Sequence, residues 1–181
     1  VAIDPIREIA PIAAEHGLWL HVDAAFAGSA AVCPEFRGMH DGLEHADSFT
    51  FNPHKWLFTN FDCNCTWVRD REPLVRSLTV MPEYLRNAAT ESGAVIDYRD
   101  WQVPLGRRFR ALKLWFVLRH YGAEGLQSLV RHHVALAERF ERMVEEHPLL
   151  ECSTPRSLSL VCFHHVDGDE ATQAMLEGAN A

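Results

Sequence analysis

Lysine is nearly missing from this chain. Among its 181 residues only Lys55 and Lys113 are lysines, so chemistry that needs a side-chain amine has two places to sit. Basic charge is short as well: Lys and Arg number 17 against 25 Asp and Glu, a formal net charge of −8. Nucleic-acid binding needs a cationic face, so this balance argues against a nucleic-acid partner. The one basic cluster, Arg107-Arg108-Phe109-Arg110, is too short to reverse that and reads as arginines in ion pairs or on a solvated face. No apolar run reaches the length of a membrane span, and the N-terminus has no charged-then-apolar signal pattern. The cysteines are five, an odd number (Cys33, Cys63, Cys65, Cys152, Cys162), with no C-x-x-C pair to suggest zinc or redox chemistry. They predict free, mostly buried thiols in a reducing cytoplasm, with Cys63 and Cys65 on one face of a strand. Eleven histidines are present, but no H-E-x-x-H occurs and the adjacent His132-His133 cannot share a helix face, so no metal site is expected.

What is present suits a soluble globular protein: 48% hydrophobic and 23% charged residues, enough for one domain or parts of two. The chain enters a helical pattern directly at Val1 and stops at Ala181 soon after another helix begins, so both ends are expected to be cuts through a larger protein. Pro5 to His16 predicts an amphipathic helix with Ile6, Ile9, Ala10 and Ala13 on one stripe and Gly17 as its stop. Leu18 to Val22 predicts a short buried parallel strand that ends at Asp23. Ala24 to Ala31 is rich in small residues, as where backbone must approach something closely. Ser48–Phe51 and Cys63–Val68 are two further strand candidates. Thr79 to Ile96 reads as a long loop of the kind that is functional or disordered. Helices are expected from Pro104 to Gly122 and from Gly125 to His147, and a weak strand from Ser157 to His164. This alternation predicts an α/β layered domain, in which ligands sit beyond the carboxyl ends of the strands. Asp23 and the Asn52–Lys55 segment are expected at that rim.

Taken alone, Asp23 is a cap or loop carboxylate, and Lys55 a lysine whose stem snorkels over apolar surface. As a pair they suit pyridoxal phosphate, whose aldehyde is held covalently by a lysine and whose ring nitrogen stays protonated beside a carboxylate. A Lys between His54 and Trp56 after a buried strand is expected to be buried, which would lower its pKa and make it a competent nucleophile.

Longer blocks carry a resemblance. His21-Val22-Asp23-Ala24-Ala25-Phe26-Ala27-Gly28-Ser29, Cys33-Pro34-Glu35-Phe36-Arg37, Ala46-Asp47-Ser48-Phe49, Asn52-Pro53-His54-Lys55-Trp56 and Asn60-Phe61-Asp62-Cys63 are similar to the group II pyridoxal-phosphate-dependent decarboxylases. Within them the likeness is greatest to the aromatic-L-amino-acid decarboxylases. Asp97 to Arg110 extends it, and it weakens after about Glu151. The resemblance implies a fold-type-I large domain, of which residues 1–112 would be the C-terminal half, and the start of a small α+β C-terminal domain over residues 113–181. It implies that Lys55 carries the cofactor, that Asp23 pairs with its ring nitrogen and that Ala25 packs on one ring face. Asn52 would bind the phosphate, with His54 beside it. The family's main phosphate-binding Ser/Thr residues and its ring-stacking His would lie upstream of Val1. Tyr84 would be the mobile-loop acid that returns a proton to the substrate carbon after CO₂ leaves. Phe61 and Gly106 would line the substrate pocket, Gly106 leaving room for a ring. The residue types at 26, 54 and 106 point to an aromatic amino acid as substrate and to an arylalkylamine as product, in a cytoplasmic homodimer. Histidine decarboxylation, aldehyde synthesis and an inactive truncated subunit remain the alternatives.

Overall fold

The stripe of Ile6, Ala10 and Ala13 is buried on α1, Ile6–Glu15, at the start of the computed structural model, which describes residues 2–79, 92 and 95–181. Gly17 follows at φ 60°, the left-handed conformation that ends helices at little cost to glycine. Three strands then form one sheet in sequence order: β1 His21–Asp23, β2 Ser48–Phe51 and β3 Cys65–Val68. β1 and β2 are parallel with Asp23 opposite Thr50, while β2 and β3 are antiparallel with Phe51 opposite Cys65. The parallel register brings the ends of β1 and β2 to one rim. Two backbone bonds prolong it, from Ala24 N–H to the Thr50 carbonyl at 2.9 Å and from Asn52 N–H to the Ala25 carbonyl at 3.0 Å.

β1 is shorter and less covered than its apolar run suggests. Leu18 and Trp19 are 61% and 51% exposed, and His21 and Asp23 are exposed too. An apolar run marks a surface able to be covered; among the described residues this one is covered only in part, at the half-buried Leu20 and Val22. Cys63 is buried ahead of β3 and Cys65 is half-buried at its start, so only the second cysteine belongs to the strand. Burial, with Cys63 beside it, pushes the Cys65 thiol up to about 11, a packed and unreactive state.

The small residues after β1 form tight turns of 3-10 helix at Ala27–Val32, Pro34–His40 and Leu43–His45. Their smallness is used at Gly28, where a Cβ would stand 2.5 Å from that of Phe51. A single helical turn, α2 Pro53–Trp56, follows β2, and α3 Arg71–Leu78 follows β3, capped by Asp70, which accepts the Glu72 N–H at 2.9 Å.

α4, Arg110–Glu145, joins the two expected helices across a kink at Gly122 (φ 63°, ψ −178°). It begins at Arg110 and not at Pro104; Gly106, two residues on, disfavours helix through its backbone freedom. The division expected after residue 112 falls within its first turn. The second half of α4 builds the core. Val130 packs with Ala30, Cys33 and Trp56, and Phe26 stacks on Trp56 at 4.7 Å. Trp56 Nε1–H donates to His133 Nδ1 at 3.0 Å, and Gln127 Nε2–H to the Val32 carbonyl at 3.0 Å. At the rim of this contact Arg131 Nε pairs with Glu35 at 2.6 Å.

Beyond α4, β4 Leu150–Cys152 pairs antiparallel with β5 Phe163–His165, and α5 Asp169–Ala179 ends the chain. The strand expected over Ser157–His164 is instead a turn, closed by a lone bridge between Ser157 and Leu160, with Leu158 at φ 52°. Pairing starts only at Phe163. Strands of three residues are too short for alternation to mark, which is why the sequence pattern is silent on β4.

Candidate functional site

Asp23 and Lys55 reach the same place from different elements. Asp23 ends β1, and Lys55 lies in the single turn that Pro53 starts after β2, so the parallel register sets them at one rim. Both line a groove of about 540 Å³, together with His21, Ala25, Phe26 and His40. Asp23 Oδ1 accepts the Ala25 N–H at 2.9 Å, an Asx turn that orients the carboxylate and leaves Oδ2 without a partner among the described residues. The Lys55 amine likewise has no hydrogen bond or ion pair among them.

The burial expected of Lys55 is not found: Lys55 is exposed, while its neighbour Trp56 is only 4% exposed. Successive residues of one helical turn point to different sides, so the turn that plants Trp56 in the core turns Lys55 toward the groove. His40 went unmarked by any motif, yet it is half-buried in this groove, edge-on to Phe49 at 5.9 Å. Burial pushes its imidazole below the usual histidine range, favouring the neutral ring.

Asn52 and His54 stand beside the groove and do not line it. The Asn52 side-chain oxygen accepts from Asn64 Nδ2, and among the described residues its own NH₂ has no partner and can donate. Asn64 is itself held by Thr50 Oγ1 at 2.8 Å and by Thr66 Oγ1, which donates to its oxygen at 2.7 Å. This polar set on β2 and β3 has no signature in the sequence, because its members are brought together only by the antiparallel pairing. His54 Nδ1 lies 2.9 Å from the Cys63 nitrogen and 2.7 Å from the Cys63 carbonyl oxygen, so the backbone of one residue holds the ring in either tautomer.

Phe61 is 83% exposed and packs edge-on against His54 at 4.8 Å. Asp62, next to it, is held by Arg110 at the start of α4: Nε and Nη2 both lie 2.9 Å from Oδ2. That hydrogen bond holds the Asp62 carboxyl below the usual carboxylate range. Gly106 is exposed, and a Cβ there would have open space around it. Neither Phe61 nor Gly106 lines the Asp23–Lys55 groove; Phe61 reaches it only through its contact with His54. Tyr84 lies outside the described residues.

The donor set fits a pyridoxal phosphate: a free amine, an oriented carboxylate with an unused oxygen, a small side chain between them at Ala25, and a free amide NH₂ next to the rim. Comparison with known proteins agrees. The pyridoxal-dependent decarboxylase conserved domain matches residues 1–166. Rat (Rattus norvegicus) aromatic-L-amino-acid decarboxylase is 48% identical over 180 residues, which cover 99% of this chain and 38% of the rat protein. Phenylacetaldehyde synthase of Arabidopsis thaliana is 53% identical over 165 residues, 91% of this chain and 34% of that one. The crystal structure of Oryza sativa TDC with PLP and tryptamine superimposes with a TM-score of 0.92 at 47% identity, over 99% of this chain and 39% of that one. The chain thus spans less than two fifths of the length of these relatives, but nearly the whole of it follows their sequence and fold. A match of that extent, which includes the strand ends that carry Asp23 and Lys55, settles the family: the chain belongs to the pyridoxal-dependent decarboxylases.

Proposed function

We propose that this chain is the lysine-bearing part of an enzyme that removes the carboxylate of an aromatic L-amino acid as CO₂ and releases an arylalkylamine. The observation that carries the reading is the pair of unpartnered groups, the Lys55 amine and Asp23 Oδ2, opening on one groove at the strand ends. Lys55 would hold the cofactor covalently and, once displaced by substrate, serve as a local amine able to move a proton. Asp23, already turned by the Ala25 N–H, would hold the proton on the ring nitrogen. When bound, the cofactor supplies an electron sink for the bond to the departing CO₂. Ala25 would give the ring a flat, methyl-lined support, and Asn52 would donate its free NH₂ to a phosphate oxygen with His54 alongside. Phe61 and Gly106 would shape the substrate side, and Tyr84 would return the proton to the substrate carbon. In this reading residues 1–112 complete a large domain, residues 113–181 begin a smaller one, and the whole protein works as a cytoplasmic homodimer.

A second reading is favoured by one relative: the phenylacetaldehyde synthase matches as well as the decarboxylases do, so aldehyde release competes with amine release. The experiment takes the protein at its full natural length. Borohydride reduction followed by peptide mapping should place a pyridoxyl label on Lys55, and Lys55→Ala should abolish turnover. Tryptophan, tyrosine, phenylalanine and dopa are then offered in air. Amine and CO₂ in equal amounts, without peroxide or ammonia, support decarboxylation; aldehyde with peroxide and ammonia supports the synthase. A label on Lys113 would overturn the assignment of the site.

A further inference from the structure

We infer that the Asp62–Arg110 ion pair is a positioning device that sets the substrate side of the pocket against the lysine-bearing turn. The inference rests on the placement of Phe61 and Gly106 at that pocket in the proposed function, and adds two residues to which that reading gives no role.

The argument is one of connectivity. α2 carries His54 and Lys55, and His54 is fastened to the next loop twice, by the Cys63 peptide at Nδ1 and by the ring of Phe61. Asp62 lies between those two anchors. Its Oδ2 takes both Nε and Nη2 of Arg110, each at 2.9 Å, across 48 residues of sequence. Arg110 is the first residue of α4 and ends the non-helical stretch that contains Gly106. Gly106 has open space around it, Phe61 is 83% exposed, and Phe109 is 75% exposed. Among the described residues apolar packing therefore does little to hold this stretch, and the Asp62–Arg110 pair ties it to the Phe61 loop. Lys113, one turn along α4, adds favourable charge at Asp62. An arginine held by two nitrogens fixes direction as well as distance, which a lysine cannot do. The pair touches neither the groove nor the Lys55 amine, so its loss would misplace the walls around the substrate ring and leave the cofactor end intact.

The test uses the full-length holoenzyme with Asp62→Asn, Arg110→Lys and the double variant. Each single change should raise KM for the aromatic amino acid by roughly three- to tenfold, the worth of a half-exposed charged pair, with kcat and the cofactor's visible absorbance held. The double variant should be no worse than the poorer single, because both remove one interaction. Amide exchange of residues 104–109 should quicken in every variant, with or without substrate. An unchanged KM, a fall confined to kcat, or additive losses in the double variant would overturn the inference. If Asp62→Asn does not fold, Arg110→Lys, which keeps the charge and loses the fork, decides alone by the same criteria. Wild-type protein that carries cofactor on Lys55 yet turns over no aromatic amino acid would refute the proposed function. The ion pair would then stand or fall on the exchange of residues 104–109.

Discussion

Asp23 does two jobs with two oxygens. Oδ1 closes the turn to Ala25, and in the proposed function Oδ2 would meet the cofactor's ring nitrogen. Asn in its place keeps an oxygen that can accept the Ala25 N–H, so the turn should survive while the charge is lost. Asp23→Asn in the full-length enzyme is therefore expected to melt within about 0.5 kcal/mol of wild type, as substitutions that break no buried contact do. Turnover should drop roughly a hundredfold or more, the scale seen when one electrostatic contributor to a transition state is removed. Melting and steady-state assays on the same preparation check it; near-normal turnover with cofactor bound would strip Asp23 of this role. At this scale the sequence was a good guide to position and a poor one to environment. That Asp23 ends one strand and Lys55 follows the end of the next is legible from where the apolar runs stop. The exposure of Lys55 does not follow from its flanking His and Trp, because neighbours in a helical turn face different surroundings. His40 and Asn64 had no signal at all, since only folding sets one beside Lys55 and the other beside Asn52.

Between elements, the contact that seats α4 on the turns before β2 decides how firmly α2 is held, because Trp56 is buried in it. Its polar edge is the Glu35–Arg131 pair, with Nε and Nη2 of Arg131 at 2.6 and 3.1 Å from the two carboxylate oxygens. Arg131, first through its hydrogen bond, holds the Glu35 carboxyl down at about 2, below the ordinary 4.5. A depressed folded pKa means that the pair's contribution is present in full above about 4.5 and is lost as pH falls toward about 2. Glu35→Gln should accordingly melt below wild type at neutral pH. The gap should close between pH 4.5 and 2, read from melting curves of both proteins across that range. A gap that persisted at pH 2 would mean that the carboxyl contributes by packing and not by charge. The elements themselves were legible in proportion to their length. Ten residues of α1 and the flanks of the Gly122 kink carry enough period to be read, whereas β4 and β5 hold three residues each. The start of α4 was misplaced because Pro104 is a good helix opener only when helix formers follow it, and Gly106 does not serve.

Composition promised a larger core than the chain closes over. A compact monomer of 20.5 kDa exposes about 8,900 Å² by the usual scaling, and this chain exposes 12493 Å². Large apolar side chains are among those left exposed: Trp115 is 53% exposed, Phe116 57% and Leu112 43% on the first half of α4, and Ile12 is 58% exposed on α1, with Leu18 and Trp19 bare just after it in sequence. Counting apolar residues cannot show this, because a count says what can be buried and not what is there to bury it. The mismatch fits a chain that covers 38% of the rat decarboxylase's length. It carries a physical expectation for the 181 residues expressed by themselves. Large apolar side chains left exposed in this number favour association, and β1, at the edge of its sheet, can pair with another chain. The isolated chain should elute above its monomer mass, bind a hydrophobic dye strongly and melt without a sharp transition. It should turn over no aromatic amino acid even with pyridoxal phosphate supplied, because in the proposed function Lys55 and Asp23 would grip only part of the cofactor. Light scattering, dye binding, calorimetry and an amine assay on one preparation test all four points. A monomer that melted cooperatively and released amine would show that the groove at Asp23 and Lys55 is a complete active site by itself.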